Sequence, residues 1–156
     1  MALEITISIQ IPASAELTWS YLSLISDHVN WMLDAESIDF DSPQQSGPGT
    51  EFVCATRVGP IRLKDRMTVT DWQEGKSISI AHKGLVTGTG VLAQLRLGEL
   101  LTEVTWSEQL VFGWLYGGRA GELLAGTVLR RIWRRNLRQL SDRILKDPLG
   151  HKGSLA

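Results

Sequence analysis

The stretch Gly117 to Lys146, GGRAGELLAGTVLRRIWRRNLRQLSDRILK, sets the strongest limit on what this chain can fold into. It holds no proline, and good helix formers fill its second half. Leu129, Trp133, Leu137, Leu140 and Ile144 recur at spacings of four, four, three and four, which predicts one apolar helical face. Arg130, Arg134, Arg135 and Arg138 fall mainly on the other side. A helix of about thirty residues is about 45 Å long. That is more than a brace for one small core requires, so something wide must receive its apolar face.

The rest of the chain supplies strands. Leu3, Ile5, Ile7, Ile9 and Ile11 alternate with Glu4, Thr6, Ser8 and Gln10, a period of two that predicts a first strand with one buried face. Pro12 ends it, and Ser14 is placed to cap a short helix through about Ser23. In that helix Leu17, Tyr21 and Leu22 are expected inside and Trp19 nearer the flank. SLISDHVNWML reads as a second short helix after a break near Ser26-Asp27, anchored by Val29, Trp31 and Met32. Six strand-like segments follow: one around Ile38 and Phe40, then Glu51–Val58, Ile61–Trp72, Lys76–His82, Val86–Leu97 and Leu100–Val111. Loop and turn residues separate them, from Ser42–Gly49 to Gly98-Glu99. Short consecutive connections predict an antiparallel meander, with the first strand pairing at an edge. The sheet's apolar face needs a cover, and the last helix is the long amphipathic element available. The expected fold class is α+β, with a pocket between sheet and helix.

With 156 residues and a net charge of −1, the chain is expected to form one domain over residues 1–146 and a loose tail over 147–156. The charge balance gives no general pull toward nucleic acid or anionic membrane. Cys54 is the single cysteine, so neither an internal disulfide nor a cysteine-clustered metal site is available. MALEITISIQIP lacks a basic leader pattern, and no apolar run approaches the ~20 residues of a membrane span. A cytoplasmic protein without integral membrane association is the expectation.

The order of elements and several short motifs resemble the START-like superfamily, also called SRPBCC or Bet v 1-like. The motifs are IxIPAS at Ile9–Ser14, the Asp27–Trp31 segment, GxGT at Gly47–Thr50, WQEGKSI at Trp72–Ile78, GTG at Gly88–Gly90 and TEVTWSE at Thr102–Glu108. The resemblance extends to about Lys146 and is nearest in flavour to the polyketide cyclase/dehydrase and lipid-transport group. It implies a helix-grip fold, in which a curved antiparallel seven-stranded sheet wraps around a long C-terminal helix. It also implies a deep, mostly apolar cavity used for lipids, polyketides or other hydrophobic ligands.

Three inward polar groups stand out as candidates for chemistry. Val104, Trp106, Glu108 and Leu110 share one strand face, so Glu108 points wherever Trp106 does. A carboxylate there is costly unless paired. It is either an acid/base or ligand anchor, or a structural partner for a buried arginine or tryptophan N–H, or a glutamate at the cavity rim in water. His82 ends the row Ile78, Ile80, His82 and titrates near neutrality, although a rim or turn position is the plainer reading. Asp65 shares the face of Leu63, Met67 and Val69, unless a bulge reverses the alternation. His28 is placed near the cavity mouth by the resemblance, against the plainer reading of an exposed histidine. The three histidines have no metal-ligand spacing, and neither a metal nor a cofactor is expected.

Gly88-Thr-Gly90-Val-Leu-Ala93 matches a loose dinucleotide-binding pattern, but it lies inside a strand with no helix after it. Its glycines more simply allow a bend or a close approach. The run RRIWRR at Arg130–Arg135 reads as a solvated helix face. Trp72, Trp106 and Trp133 fit core or pocket positions, and Trp114 an entrance.

These readings lead to a binder of a hydrophobic small molecule, its pocket lined by Phe52, Leu63, Met67, Ile80, Leu92, Val104, Trp106, Leu129, Trp133 and Leu137. The first alternative is a polyketide cyclase or aromatase using Glu108, His82 or Asp65. It requires at least two polar groups converging within hydrogen-bond reach. The second is a protein-interaction module with a collapsed cavity and an exposed sheet edge that allows a homodimer.

Overall fold

The structure, a computed structural model, describes residues 2–112 and 118–146. The alternating first segment forms β1 (Leu3–Ile11), with Ile5, Ile7 and Ile11 buried and Glu4, Thr6, Ser8 and Gln10 exposed. Ser14 caps α1 (Ala15–Leu22) by accepting a hydrogen bond from the Leu17 backbone N–H at 3.2 Å. Trp19 is buried in this helix rather than set at its flank. Its indole N–H donates to Glu74, in the turn at 74–76, at 2.7 Å, and its ring meets Trp72 edge-on.

The second helix is shorter and tighter than its sequence predicts. The break falls at Ser23–Leu24, and Ile25–Asn30 is a single 3₁₀ helix. With three residues per turn, Ile25, His28 and Trp31 stack on one side, and all three are buried. Val29, expected as an anchor from α-helical spacing, is only half-buried.

The remaining strands are β2 (Ala35–Phe40), β3 (Glu51–Val58), β4 (Ile61–Gln73), β5 (Ser77–Lys83), β6 (Val86–Gly98) and β7 (Leu101–Phe112). They form a seven-stranded antiparallel sheet in the order β1-β7-β6-β5-β4-β3-β2, with β1 at the edge beside β7. Register shifts at Ala35/Ser37, Val69/Asp71 and Arg96/Gly98 interrupt the ladders. Such bulges bend and coil a sheet locally.

The final helix is α2 (Gly118–Lys146); Gly117 and Trp114 lie outside the described residues, as does the tail at 147–156. Trp133, Leu137, Leu140 and Ile144 are buried against the concave side, as their spacing predicts, while Leu129 is partly buried. Burial of four large side chains stabilises the packing by several kcal/mol, at about 1.5–3 kcal/mol each. Asn136 lies fully buried within this apolar stripe. It accepts from the Leu33 backbone N–H at 2.9 Å and donates to Asp34 at 2.7 Å, tying α2 to the segment that enters β2. Arg143 adds a contact to Asp27 at 3.4 Å. The expected helix-grip arrangement is thus present, with α1, the 3₁₀ helix and α2 covering one face of the sheet.

A candidate ligand cavity with a buried acid–base triad

Trp106 on β7 and Trp133 on α2 stack with ring centroids 5.0 Å apart and planes inclined by 16°. This pair divides the space between sheet and helix. One turn further along α2 lies Leu137, and two residues earlier on β7 lies Val104; both are completely buried in solid core. These two residues, expected as pocket lining, therefore stand outside the cavity. On the other side of the stack the layers separate, leaving a cavity of about 190 Å³. Its walls include Phe52, Leu63, Met67, Ile80, Leu92, Trp106, Leu129 and Trp133. Periodicity did not point to Met32 and Ile38 from the 3₁₀–β2 segment, nor to Phe112, yet all three contribute. The cavity is open, not collapsed. An engineered cavity of about 150 Å³ admits benzene, so this space suits a ligand of one or two rings.

Asp65, His82 and Glu108 meet on one wall of this cavity. His82 Nε2 lies 2.8 Å from Glu108 Oε2, and Nδ1 contacts Asp65 Oδ2. The Trp106 indole N–H donates to the other oxygen of Glu108 at 2.8 Å. Glu108 and His82 are buried, and the Asp65 side chain is 17% exposed. His82 is thus not a rim residue, and Glu108 partners a histidine as well as a tryptophan.

The backbone explains how residues from three strands converge. In the β4–β5 pairing Met67 faces His82, and Asp65 is two residues from Met67 on the same face. The bulge in β4 comes at Val69/Asp71, beyond Asp65, so the alternation that turns Asp65 inward is preserved. Glu108 is two strands away from His82, with β6 between them. Neighbouring strands lie about 4.8 Å apart, so the carboxylate must pass over β6. It does so above Gly90, its register partner, where an added Cβ would stand 2.6 Å from both carboxylate oxygens. Gly88, at φ +140°, brings the chain so close to β7 that a Cβ would lie 1.9 Å from the Gln109 carbonyl oxygen. In the GTG motif Gly90 opens a trough in the sheet floor and Gly88 permits the close backbone approach. The sequence signal was available: two alternate glycines on the strand next to one with an inward glutamate.

Electrostatics follow from this geometry. Burial alone would lower the His82 pKa, but hydrogen bonds and charge from Asp65 and Glu108 outweigh it and hold the imidazole at about 9. At neutral pH His82 is an imidazolium that donates through both ring nitrogens. His28, also on the cavity wall, is the opposite case. Burial pushes its pKa down to about 4, and its Nε2–H donates to the Leu22 carbonyl at 2.8 Å. Burial, with the charges of Asp34 and Asp65, pushes the Cys54 thiol up to about 12, so it remains unreactive. Among the described residues no group of histidine, cysteine or carboxylate side chains is arranged to hold a metal ion. No described helix is long and apolar enough to cross a membrane.

Solved structures share this architecture. The Zhui aromatase/cyclase from Streptomyces sp. R1128 superposes with a TM-score of 0.82 over 97% of this chain and 99% of its own, at 12% identity. A START superfamily protein from Mycobacterium smegmatis gives 0.74 over 92% and 97%, at 13% identity. Norcoclaurine synthase from Thalictrum flavum, in complex with dopamine and hydroxybenzaldehyde, gives 0.70 over 94% and 88%, again at 13%. At such identities the likeness is one of fold. No curated protein sequence matches the chain. The family model described as polyketide cyclase / dehydrase and lipid transport matches residues 2–144, nearly the whole described structure, and the chain belongs to that family.

Proposed function

We propose that the protein binds a hydrophobic small molecule of one or two rings in the cavity between sheet and α2, with the Asp65–His82–Glu108 wall meeting its polar end. The observation that carries this reading is a mostly apolar cavity of about 190 Å³ with Asp65, His82 and Glu108 gathered on one wall. Apolar lining with a few convergent polar groups is the usual form of a small-molecule site. Family membership supports the same reading. Native mass spectrometry of the purified protein, with organic extraction of retained compounds, tests it. A small aromatic or polyketide-like compound should be retained, and Ile80→Phe, which fills the cavity, should abolish retention without unfolding the protein. Retention unchanged in that variant would place the ligand elsewhere and defeat the proposal.

A second reading, catalysis of the cyclase or dehydrase type, is favoured by the convergence of two carboxylates on one imidazole. A carboxylate would remove the proton from the carbon next to a bound carbonyl. Once protonated, that carboxylate no longer holds its His82 N–H, which would then turn to stabilise the enolate oxygen. The enolate carbon could next form a carbon–carbon bond to a second carbonyl, and loss of water would follow. Proton exchange at that carbon of 6-hydroxy-1-tetralone in D2O, followed by NMR, isolates the first step. Protein-accelerated exchange that His82→Gln and Glu108→Gln both remove is the expected outcome. No acceleration at saturating ligand would leave a binding protein.

A further inference from the structure

The hydrogen-bonding inventory of the cavity wall says which ligands it can accept. The N–H groups of the triad are already committed: His82 donates to both carboxylates, and the Trp106 indole donates to Glu108. Among the described residues Asp65 Oδ1 is buried with no hydrogen-bond partner. Asp34, a third carboxylate lining the cavity, accepts from Asn136, and the His28 Nε2–H is held by the Leu22 carbonyl, leaving Nδ1 as an acceptor. The remaining polar lining is the Thr56 hydroxyl, the Cys54 thiol, the Trp133 indole and Lys64, which is exposed. Three carboxylates therefore face one imidazolium and one exposed ammonium. The neutral hydroxyl and indole groups do not change that balance.

We infer that the polar wall acts as an anionic hydrogen-bond acceptor, so that the cavity takes neutral or cationic aromatic ligands bearing a hydroxyl or amino group and rejects carboxylates, fatty acids among them. The inference rests on the reading that the cavity is the ligand site, and it narrows the ligand class. Asp65 Oδ1 packs beside Gly84 rather than on the open cavity surface, so a ligand donor would engage it as the carboxylate turns toward the cavity, recovering solvation that is otherwise lost. A carboxylate in the same place would meet like charge in a low-dielectric setting and leave Oδ1 unpaired.

Calorimetric titration of the purified chain at pH 7.5 with 2-naphthol, naphthalene and 2-naphthoate tests this with ring size held constant. A hydrogen bond to a charged acceptor predicts that 2-naphthol binds roughly tenfold or more tightly than naphthalene. 2-Naphthoate should bind weaker than naphthalene, and Asp65→Asn, which removes charge but keeps an acceptor oxygen, should narrow the naphthol–naphthoate gap. Folding of the variant is checked by thermal unfolding, and Glu108→Gln serves if it fails. Naphthoate binding as tightly as naphthol, or naphthol no tighter than naphthalene, would overturn the donor rule and leave the cavity reading intact. Failure of all three to bind would overturn both.

Discussion

Glu108 reaches His82 across a whole intervening strand, and it crosses at Gly90. An inward glutamate on β7 and an inward histidine on β5 would ordinarily be separated by the side chains of β6. The absence of a side chain at Gly90 lets a buried ion pair form in the sheet floor. That pair in turn sets the charge of the cavity wall.

Replacing Gly90 by alanine should therefore separate the triad without unfolding the protein. The added Cβ collides with the end of a flexible side chain, which can swing aside, but only by leaving both His82 and Trp106. Breaking such a buried network is expected to cost about 2–3 kcal/mol. NMR titration should show the His82 pKa falling from about 9 toward its ordinary value. Gly88→Ala is the contrasting case, because its Cβ would strike backbone and its φ of +140° disfavours any side chain. It should fail to fold stably, as read by circular dichroism.

Stability should peak near pH 6.5, with the two buried histidines acting on opposite sides. His82 has a folded pKa raised from 6.5 to about 9, so its contribution is fully present below pH 6.5 and is lost as pH rises through 9. His28 has a folded pKa lowered from 6.5 to about 4, so the unfolded state takes up its proton first and stability falls as pH drops below 6.5. Each slope is at most about 1.4 kcal/mol per pH unit. Urea unfolding between pH 5 and 9 checks this. His82→Gln should flatten the alkaline limb and His28→Gln the acidic limb between pH 5 and 6.5; a profile unchanged by either substitution would show that these sites do not govern it.

The sequence made the outline of the fold readable because its signals are periodic: β1 alternates strictly, and α2 repeats every three to four residues. It was silent where structure departs from a single period. The segment at Ile25–Asn30 has an apolar repeat of three, which α-helical spacing misreads, and this displaced the anchor from Ile25 and His28 to Val29. Facing directions were legible for Glu108, His82 and Asp65, since each follows the alternation of its own strand. Their meeting was not, because it depends on register between strands and on the floor at Gly90. Val104 and Leu137 show the same boundary. Periodicity identifies the buried face of an element, but not where along that face packing gives way to a cavity.

Asn136 should prove as important to the grip of α2 as its apolar neighbours. It is fully buried and bonded on both sides of its amide, to the Leu33 N–H and to Asp34. Asn136→Ala leaves both partners without it and should cost about 2–3 kcal/mol. Asn136→Asp should cost more at neutral pH, because a carboxylate replaces the donor facing Asp34. Part of that loss should return as the pH is lowered toward 5 and the pair takes up a proton. Parallel urea unfolding curves of the two variants at both pH values check the ordering.

The Trp106–Trp133 stack should set the depth of the cavity. Trp133 stands between open space and the packed residues Leu137 and Leu140, so it acts as a floor as well as a wall. Trp133→Ala should cost about 3–5 kcal/mol, as for other buried aromatic truncations. It should also extend the cavity toward α2's buried core, so a three-ring phenol that the parent protein excludes should now bind. Trp133→Phe keeps an aromatic face against Trp106 and should retain the size limit at a smaller stability cost. Comparing 2-naphthol with 2-anthrol in a titration against the parent and both variants separates these effects. If the parent accepts 2-anthrol as readily as 2-naphthol, the stack is not the floor, and the ligand lies nearer the open end, against Phe112 and Leu129.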